Sequence, residues 1–390
     1  MRILIAPDKF KGSLSSHEAA AAISQGLAEG WPEAEITTCP LADGGEGTME
    51  VLVNATEGRE IPTDVTGPLG GKLEADLGLL GDGATAVVEM AAASGLELIP
   101  PEKRDPMITS TRGTGDLIRA ALDMGIRSII VGIGGSGTND GGTGMAAALG
   151  VRFLDEKGRE LPEGGGYLAE LAEVDLSGLD PRIEEADIVV ASDVTNPLLG
   201  KHGASRIYAA QKGASGKDLD ILENGLKRLA EVISRDLGLK LEEEPGAGAA
   251  GGLGYGLMAF TGAEVKPGVD VVMQWVGFQE LLQGCDLVIT GEGKLDAQTA
   301  FGKTVTGVAR AAKGMNIPVL ALGGEVTEGA KELHGLGVSA LLGISFGPID
   351  LETSMKKAAP LLRRCAREVS LLLRSFGVRP HLIGGSGGRD

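Results

Sequence analysis

Five apolar runs in this sequence end in a carboxylate set beside glycine, Asn or Thr. After RILIAP come Asp8, Lys9 and Lys11, and after TTCPLA come Asp43, two glycines and Glu46. IIVGIGGSGT is followed by Asn139, Asp140 and two glycines, and DIVVAS by Asp193, Thr195 and Asn196. DLVITG leads into Glu292, Lys294, Asp296 and Gln298. Singly, such residues are ordinary turn and cap formers. Five of them mixed with lysine, at the strand ends where open α/β sheets bind ligands, point to one shared site. Phosphoryl transfer uses this set. Glycine-loop N–H groups cradle phosphate oxygens, a carboxylate holds Mg²⁺, Lys offsets charge, and an Asp takes the proton of the attacking hydroxyl.

The elements that must position these residues can be read from pattern. RILIA is a buried strand, and Ser15 with Glu18 has capping-box spacing for a helix. Residues 35–41 read as a second strand, and GGEGTMEVLVNATEG opens a second helix. Residues 59–90 alternate in short segments between GPLGG and GDG turns, which is hairpin chemistry. A helix near 114–124, strands RSIIVGI and DIVVAS, and a charged helix over 217–238 come next. From about 285 a βα rhythm returns, closing with a long helix near 351–375. The expected fold class is α/β with two α/β domains. Residues 1–60 and 282–377 form a discontinuous Rossmann-like domain, a parallel sheet with helices on both faces. Residues 61–281 form an inserted α/β domain with a mixed sheet, and 378–390 a flexible tail.

Glycine supplies 63 of 390 residues, about 16% against roughly 7% in average proteins. Short glycine motifs are therefore weak evidence. GxGxxG occurs at Gly132, Gly134, Gly137 and at Gly246, Gly248, Gly251, where chance alone supplies about 1.6 matches. The first is followed by Thr-Asn-Asp rather than a helix, which counts against a dinucleotide site. Gly302-Lys303-Thr304 lacks the first glycine of a Walker loop, Ala297 standing in its place, and reads as helix capping. Gly343-Ile344-Ser345-Phe346-Gly347 has the form of a hydrolase elbow, but only Asp350 and the tail residue His381 are conveniently placed after it.

The net charge of −18 and the lack of a basic surface argue against nucleic acid, and no apolar run is long enough for a membrane span or signal peptide. Lys356, Lys357, Arg363, Arg364 and Arg367 fall at helical spacing, as on a solvated helix face. Three scattered cysteines and four unpaired histidines give no disulfide framework or zinc site. A cytoplasmic protein is expected.

In the same strand-end segments the sequence resembles the bacterial glycerate kinase family of glucarate, galactarate and glyoxylate breakdown. The segments include IAPDKFKGSLSS, PLADGGEGT, VTGPLG, VEMAAASGL, RDPMITSTRGTG and IIVGIGGSGTNDGG. They continue with SDVTNPLLGKHGAS, PGAGAAGGLG and VITGEGKLDAQT, in order from residue 1 to about 375. The resemblance implies an ATP-dependent, Mg²⁺-requiring kinase of D-glycerate. The 2-hydroxyl is the favoured acceptor, and the site lies in a cleft between two α/β domains. A 3-phosphate product, another small hydroxy acid, or a non-catalytic metabolite-binding protein are the alternatives. Lys11 falls on the family's lysine position, whereas the family varies at Lys9.

On this reading Asp193 is the general base, because it ends a strongly apolar strand where desolvation raises its pKa. Lys11 serves the transferred phosphoryl group, and Asp296 and Glu292 serve Mg²⁺ or the nucleotide, with Asp193 and Asp296 the candidate metal ligands. The substrate carboxylate is met by Arg112 or Arg206, helped by loop N–H groups around Gly113 to Gly115. Asp43, Glu46, Asn139 and Asp140 complete the substrate set. Gly134, Gly135 and Ser136, or Gly246 and Gly248, hold ATP, although the second run also suits a tightly packed helix entry.

Overall fold

A computed structural model describes residues 1–300 and 303–376. The strands, in chain order, are β1 (Arg2–Ile5), β2 (Glu35–Thr38), β3 (Arg59–Thr66), β4 (Lys72–Leu79), β5 (Thr85–Glu89), β6 (Ser128–Gly132) and β7 (Arg152–Leu154). They continue with β8 (Glu173–Asp175), β9 (Asp187–Ala191), β10 (Glu264–Lys266), β11 (Leu287–Leu295), β12 (Val319–Val326) and β13 (Ala340–Gly343). The chain divides into two compact units. One comprises Met1–Ala42 and the chain from Met273 onward. The other, Asp43–Val272, is inserted between those segments.

The first unit carries a parallel sheet in the order β13-β12-β11-β1-β2. Side chains alternate across it as the two-residue strand period requires. Leu320 and Leu322 of β12 join Ile3, Ile5 and Ile289 in a core closed by Ile23, Leu27 and Leu362. Ala321, between them, joins Val305, Ala309 and Leu333 in a second cluster. Helices thus cover both faces.

The Ser16–Gly30 helix begins with a reciprocal cap. The Glu18 N–H donates to Ser15 Oγ at 3.2 Å, and the Ser15 N–H to the Glu18 carboxylate at 2.8 Å. The helix expected over 351–375 is instead two, Leu351–Lys356 and Ala358–Ser375. Pro360 has no N–H for the Lys356 carbonyl, so the turn that would join them cannot form its bond. The expected 378–390 tail, and with it His381, lies outside the described residues.

The second unit has a mixed sheet in the order β10-β9-β6-β5-β4-β3. β5, β6, β9 and β10 run parallel, while β3, β4 and β5 pair antiparallel as consecutive hairpins. The Gly67 N–H closes the first turn on the Gly71 carbonyl at 2.7 Å. Ala86, Val88, Ile129, Val131 and Val190 pack against Leu117, Ile118 and Ala121 of the Arg112–Asp123 helix. A separate core beneath the Gly216–Leu237 helix joins Leu226, Leu229, Tyr255, Phe153 and Phe260. In it the last two rings meet edge to face at 5.6 Å.

The sequence boundaries of 60/61 and 281/282 fall elsewhere than these units. The Thr48–Ala55 helix packs on β3, β4 and β5 rather than on the first sheet, which carries it into the inserted unit.

Candidate active site

In the inserted unit, β9 ends at Ala191 and the chain turns through Ser192 into Asp193. The neighbouring β10 leads through Pro267 into the helix that starts at Gly268. The Gly268 N–H donates to Asp193 Oδ1 at 2.9 Å. Oδ2 is buried and has no partner among the described residues. Burial raises the Asp193 carboxyl first, the charge of Asp43 raises it further and Asp270 adds to this, while the Gly268 and Val269 N–H groups oppose. Burial and like charge outweigh the hydrogen bonds, and the group is pushed up to about 7.

Backbone approach brings Asp43 to this place. Gly44 adopts φ +86°, and a Cβ on it would lie 2.6 Å from the Ala191 carbonyl oxygen. A Cβ on Gly268 would lie 2.0 Å from the Asp43 carbonyl oxygen. Asp43 itself accepts from the Gly45 N–H at 3.1 Å, and Glu46 stands exposed just beyond.

The loop after β6 has an outer and an inner half. Gly134, Gly135 and Ser136 form its accessible tip, with Gly135 at φ +74°. Asn139 and Asp140 are fully buried. Asp140 accepts from the Thr111 N–H and Oγ1, both at 2.8 Å, and from the N–H groups of Gly142 and Gly144 at 3.1 and 3.2 Å. Even so, burial holds its pKa above the usual carboxylate value. Both of its oxygens accept hydrogen bonds from the chain, and it braces the loop. Asn139 Nδ2 donates to Ser205 Oγ at 3.1 Å, and its Oδ1 has no partner among the described residues.

Several of the expected residues already have protein partners. Arg112 forms an ion pair with Glu163, whose second oxygen accepts from Ser110 Oγ at 2.6 Å. Arg206 pairs with Asp220 at 2.7 Å. Both guanidinium groups expected to be open to a substrate carboxylate already have one. The expected loop around Gly113 to Gly115 is the buried first turn of a helix. Gly246 and Gly248 are buried as well, and the Gly248 N–H donates to the Asn196 carbonyl at 2.9 Å. A Cβ at Gly248 would sit 2.1 Å from the Pro197 carbonyl oxygen, so close backbone packing accounts for glycine there without a nucleotide.

In the first unit, β1 and β11 lie side by side, and the Asp8 N–H donates to the Gly291 carbonyl at 2.9 Å. Asp8 is buried and accepts from Thr304 Oγ1 at the start of the Thr304–Lys313 helix. Lys11 is exposed, and its backbone nitrogen would lie 3.2 Å from a Cβ on Gly293. Glu292 accepts from Thr299 Oγ1 at 2.7 Å. Asp296 Oδ1 accepts from the N–H groups of Gln298 and Thr299 at 2.8 and 3.3 Å. Thr299 therefore ties two of the expected carboxylates together, beside the strand end that carries Lys11. Lys294, next to them, pairs with Glu325 at 3.2 Å.

Sequence reasoning missed two groups. Asp270 acts on Asp193 by charge. Lys212 is buried, and its Nζ donates to Ser136 Oγ. Neither comes directly after a strong apolar run, the signal that marks the others.

Comparison with known proteins identifies the family. A sequence model described as the glycerate kinase family matches residues 3–374. A protein of Bacillus subtilis (strain 168) named glycerate kinase is 48% identical over 374 residues, 96% of this chain and 98% of that one. A protein of Escherichia coli (strain K12) named glycerate 2-kinase is 48% identical over 379 residues, 97% and 99% of the two chains. A crystal structure from Salmonella typhimurium LT2 has the same fold with a TM-score of 0.86, at 47% identity over 97% of this chain and 99% of that one. With the family match running through both the first unit and the inserted unit, the chain belongs to the glycerate kinase family.

Proposed function

We propose that this chain transfers the γ-phosphoryl group of ATP to the 2-hydroxyl of D-glycerate, giving 2-phosphoglycerate and ADP. The observation that carries the reading is Asp193. It is a carboxyl poised near neutrality, fixed by one oxygen and with the other buried and unpartnered. A general base works best with a pKa near the operating pH. The 2-hydroxyl oxygen forms a bond to the γ-phosphorus as the bond from that phosphorus to the bridging oxygen of ADP breaks. The hydroxyl proton passes to the Asp193 carboxylate. The choice of the 2-hydroxyl is supported by the name of the Escherichia coli relative.

Lys11, exposed in the loop after β1, stands for the cation that meets the transferred phosphoryl group. The N–H groups of the loop Gly134–Ser136 bind substrate oxygens.

The donor set fits Mg²⁺. The oxygen ligands of Glu292 and Asp296 suit a hard cation, and among the described residues no group of three His, Cys, Asp or Glu forms a ready cage. Mg²⁺ in kinases is characteristically held by one or two carboxylates plus substrate phosphates. Glu292 and Asp296 would hold it, leaving Asp193 for the proton. When bound, Mg²⁺ neutralises charge on the phosphate oxygens.

ADP release coupled to a reporter tests the reading, with D-glycerate as substrate and L-glycerate and tartronate as controls. Selective release with D-glycerate is expected. No release with D-glycerate overturns it.

A further inference from the structure

Lys212 ends the short turn Ala210–Lys212, and its side chain runs inward until 1% of the residue is exposed. Its Nζ donates to Ser136 Oγ at 2.7 Å and to the Thr138 carbonyl oxygen at 2.6 Å. Both acceptors are neutral, and both lie in the loop after β6. A charge taken out of water and bonded only to dipoles is costly. The charged group that faces it is Asp140, whose own hydrogen bonds go to Thr111, Gly142 and Gly144. Burial outweighs Asp140 and brings the ammonium down to about 7.

A buried cation of this kind is ordinarily matched by an anion. Among the described residues no carboxylate bonds to it, in contrast to Arg112 with Glu163 and Arg206 with Asp220. At the tip above it, the N–H groups of Gly134, Gly135 and Ser136 donate to no protein oxygen among the described residues. Deeper in the loop, the Thr138 hydroxyl is buried without a partner among the described residues and can donate. Free donors and unmatched positive charge thus meet in one short loop.

We propose that Lys212 is a positioning residue for a bound oxyanion. It holds the Gly134–Ser136 loop through Ser136 Oγ and Thr138, and sets a positive charge behind the loop's free N–H groups, where a carboxylate or phosphate of a substrate binds. This rests on the proposal that the substrates are D-glycerate and ATP. The anion favours the ammonium over the neutral amine. Binding is therefore strongest below about pH 7 and weakens as pH rises and Lys212 loses its proton.

The test is calorimetric Kd for D-glycerate and, separately, for AMP-PNP. It compares the wild-type chain, Lys212→Met and Ser136→Ala at pH 6.5 and 8.5, with Tm recorded. At pH 6.5, Lys212→Met is expected to weaken one ligand tenfold or more and the other less than threefold. The weakened ligand identifies the oxyanion as carboxylate or phosphate. At pH 8.5 the difference from wild type is expected to shrink to within threefold, which a merely structural loss would not do. Both Kd values within threefold of wild type at pH 6.5, or one equal factor at both pH values, would overturn the proposal. If Lys212→Met does not fold, Ser136→Ala takes its place, and unchanged binding of both ligands in that variant overturns it. ADP release by the wild-type chain is measured in parallel. Its absence with D-glycerate counts against the kinase reading, while the Kd comparison still decides the role of Lys212.

Discussion

Gly268 holds Asp193 by a single hydrogen bond, 2.9 Å from its backbone N–H to Oδ1. The other carboxylate oxygen is buried without a partner among the described residues. The ionised form therefore gains from the Gly268 and Val269 N–H groups, and loses more through burial and through the charges of Asp43 and Asp270. The consequence is a carboxyl that titrates near neutrality at the end of a parallel strand.

Asp193→Asn keeps the shape and removes the base. Its kcat is expected to fall by about 10²–10⁴ with KM within about threefold, since loss of a general base acts on the transition state. In the wild-type chain, kcat should rise with pH through about 7, because only the carboxylate accepts the proton. Steady-state kinetics checks both. A variant within about threefold of wild type removes Asp193 as the base.

The same shift acts on stability with a definite sign. The folded carboxyl keeps its proton up to about 7, against 3.8 for an ordinary Asp, so between these values the folded state binds more protons than the unfolded. The contribution of Asp193 to stability is therefore fully present below the lower value and is lost as pH rises through the higher one. Asp193→Asn is expected to melt higher than wild type at pH 8, by a few degrees, and to match it near pH 4. A thermal melt at each pH decides. A variant that melts lower at pH 8 contradicts the assigned shift.

Lys11 is exposed, and no hydrogen bond or ion pair of its side chain is found among the described residues. Lys11→Ala should leave Tm within about 2 °C of wild type. Loss of a cation that meets developing charge should lower kcat by about 10²-fold. Kinetics and melting on the same preparation separate the two effects. Unchanged kcat and unchanged KM for ATP would remove Lys11 from the site.

Gly268→Ala places a Cβ where the Asp43 carbonyl oxygen lies 2.0 Å away, and both groups are backbone. The strand-end loops must separate, at a cost of about 2 kcal/mol or more. A lower Tm together with reduced kcat is expected. Gly216→Ala is the control, since a Cβ at that helix start meets nothing within 4 Å and should be neutral. Wild-type melting and activity in Gly268→Ala would show that the Asp43–Gly268 contact does not hold the site.

Much of this was legible in the sequence because it rests on local chemistry. Ser15 and Glu18 announce a helix start from four residues, and GPLGG announces a hairpin turn. Asp193 stands out because DIVVAS is apolar enough to desolvate the carboxylate at its end. The hidden features depend on contacts far apart in the chain. Lys212 matters through Ser136, 76 residues away, and Arg112 is taken up by Glu163, 51 residues away. β10 has three residues, too few for a period, and becomes a strand by pairing in parallel with β9. The break at Lys357 was signalled by Pro360, but the leucine spacing on either side reads as one continuous helix.

Phosphorus NMR of the product formed from D-glycerate and ATP tests the central claim most directly. A phosphate ester on the 2-oxygen is coupled to the single proton of its carbon and appears as a doublet, whereas one on the 3-oxygen faces two protons and appears as a triplet. A doublet growing with ADP is the predicted result. A triplet, or no new ester while ATP persists, would contradict the account.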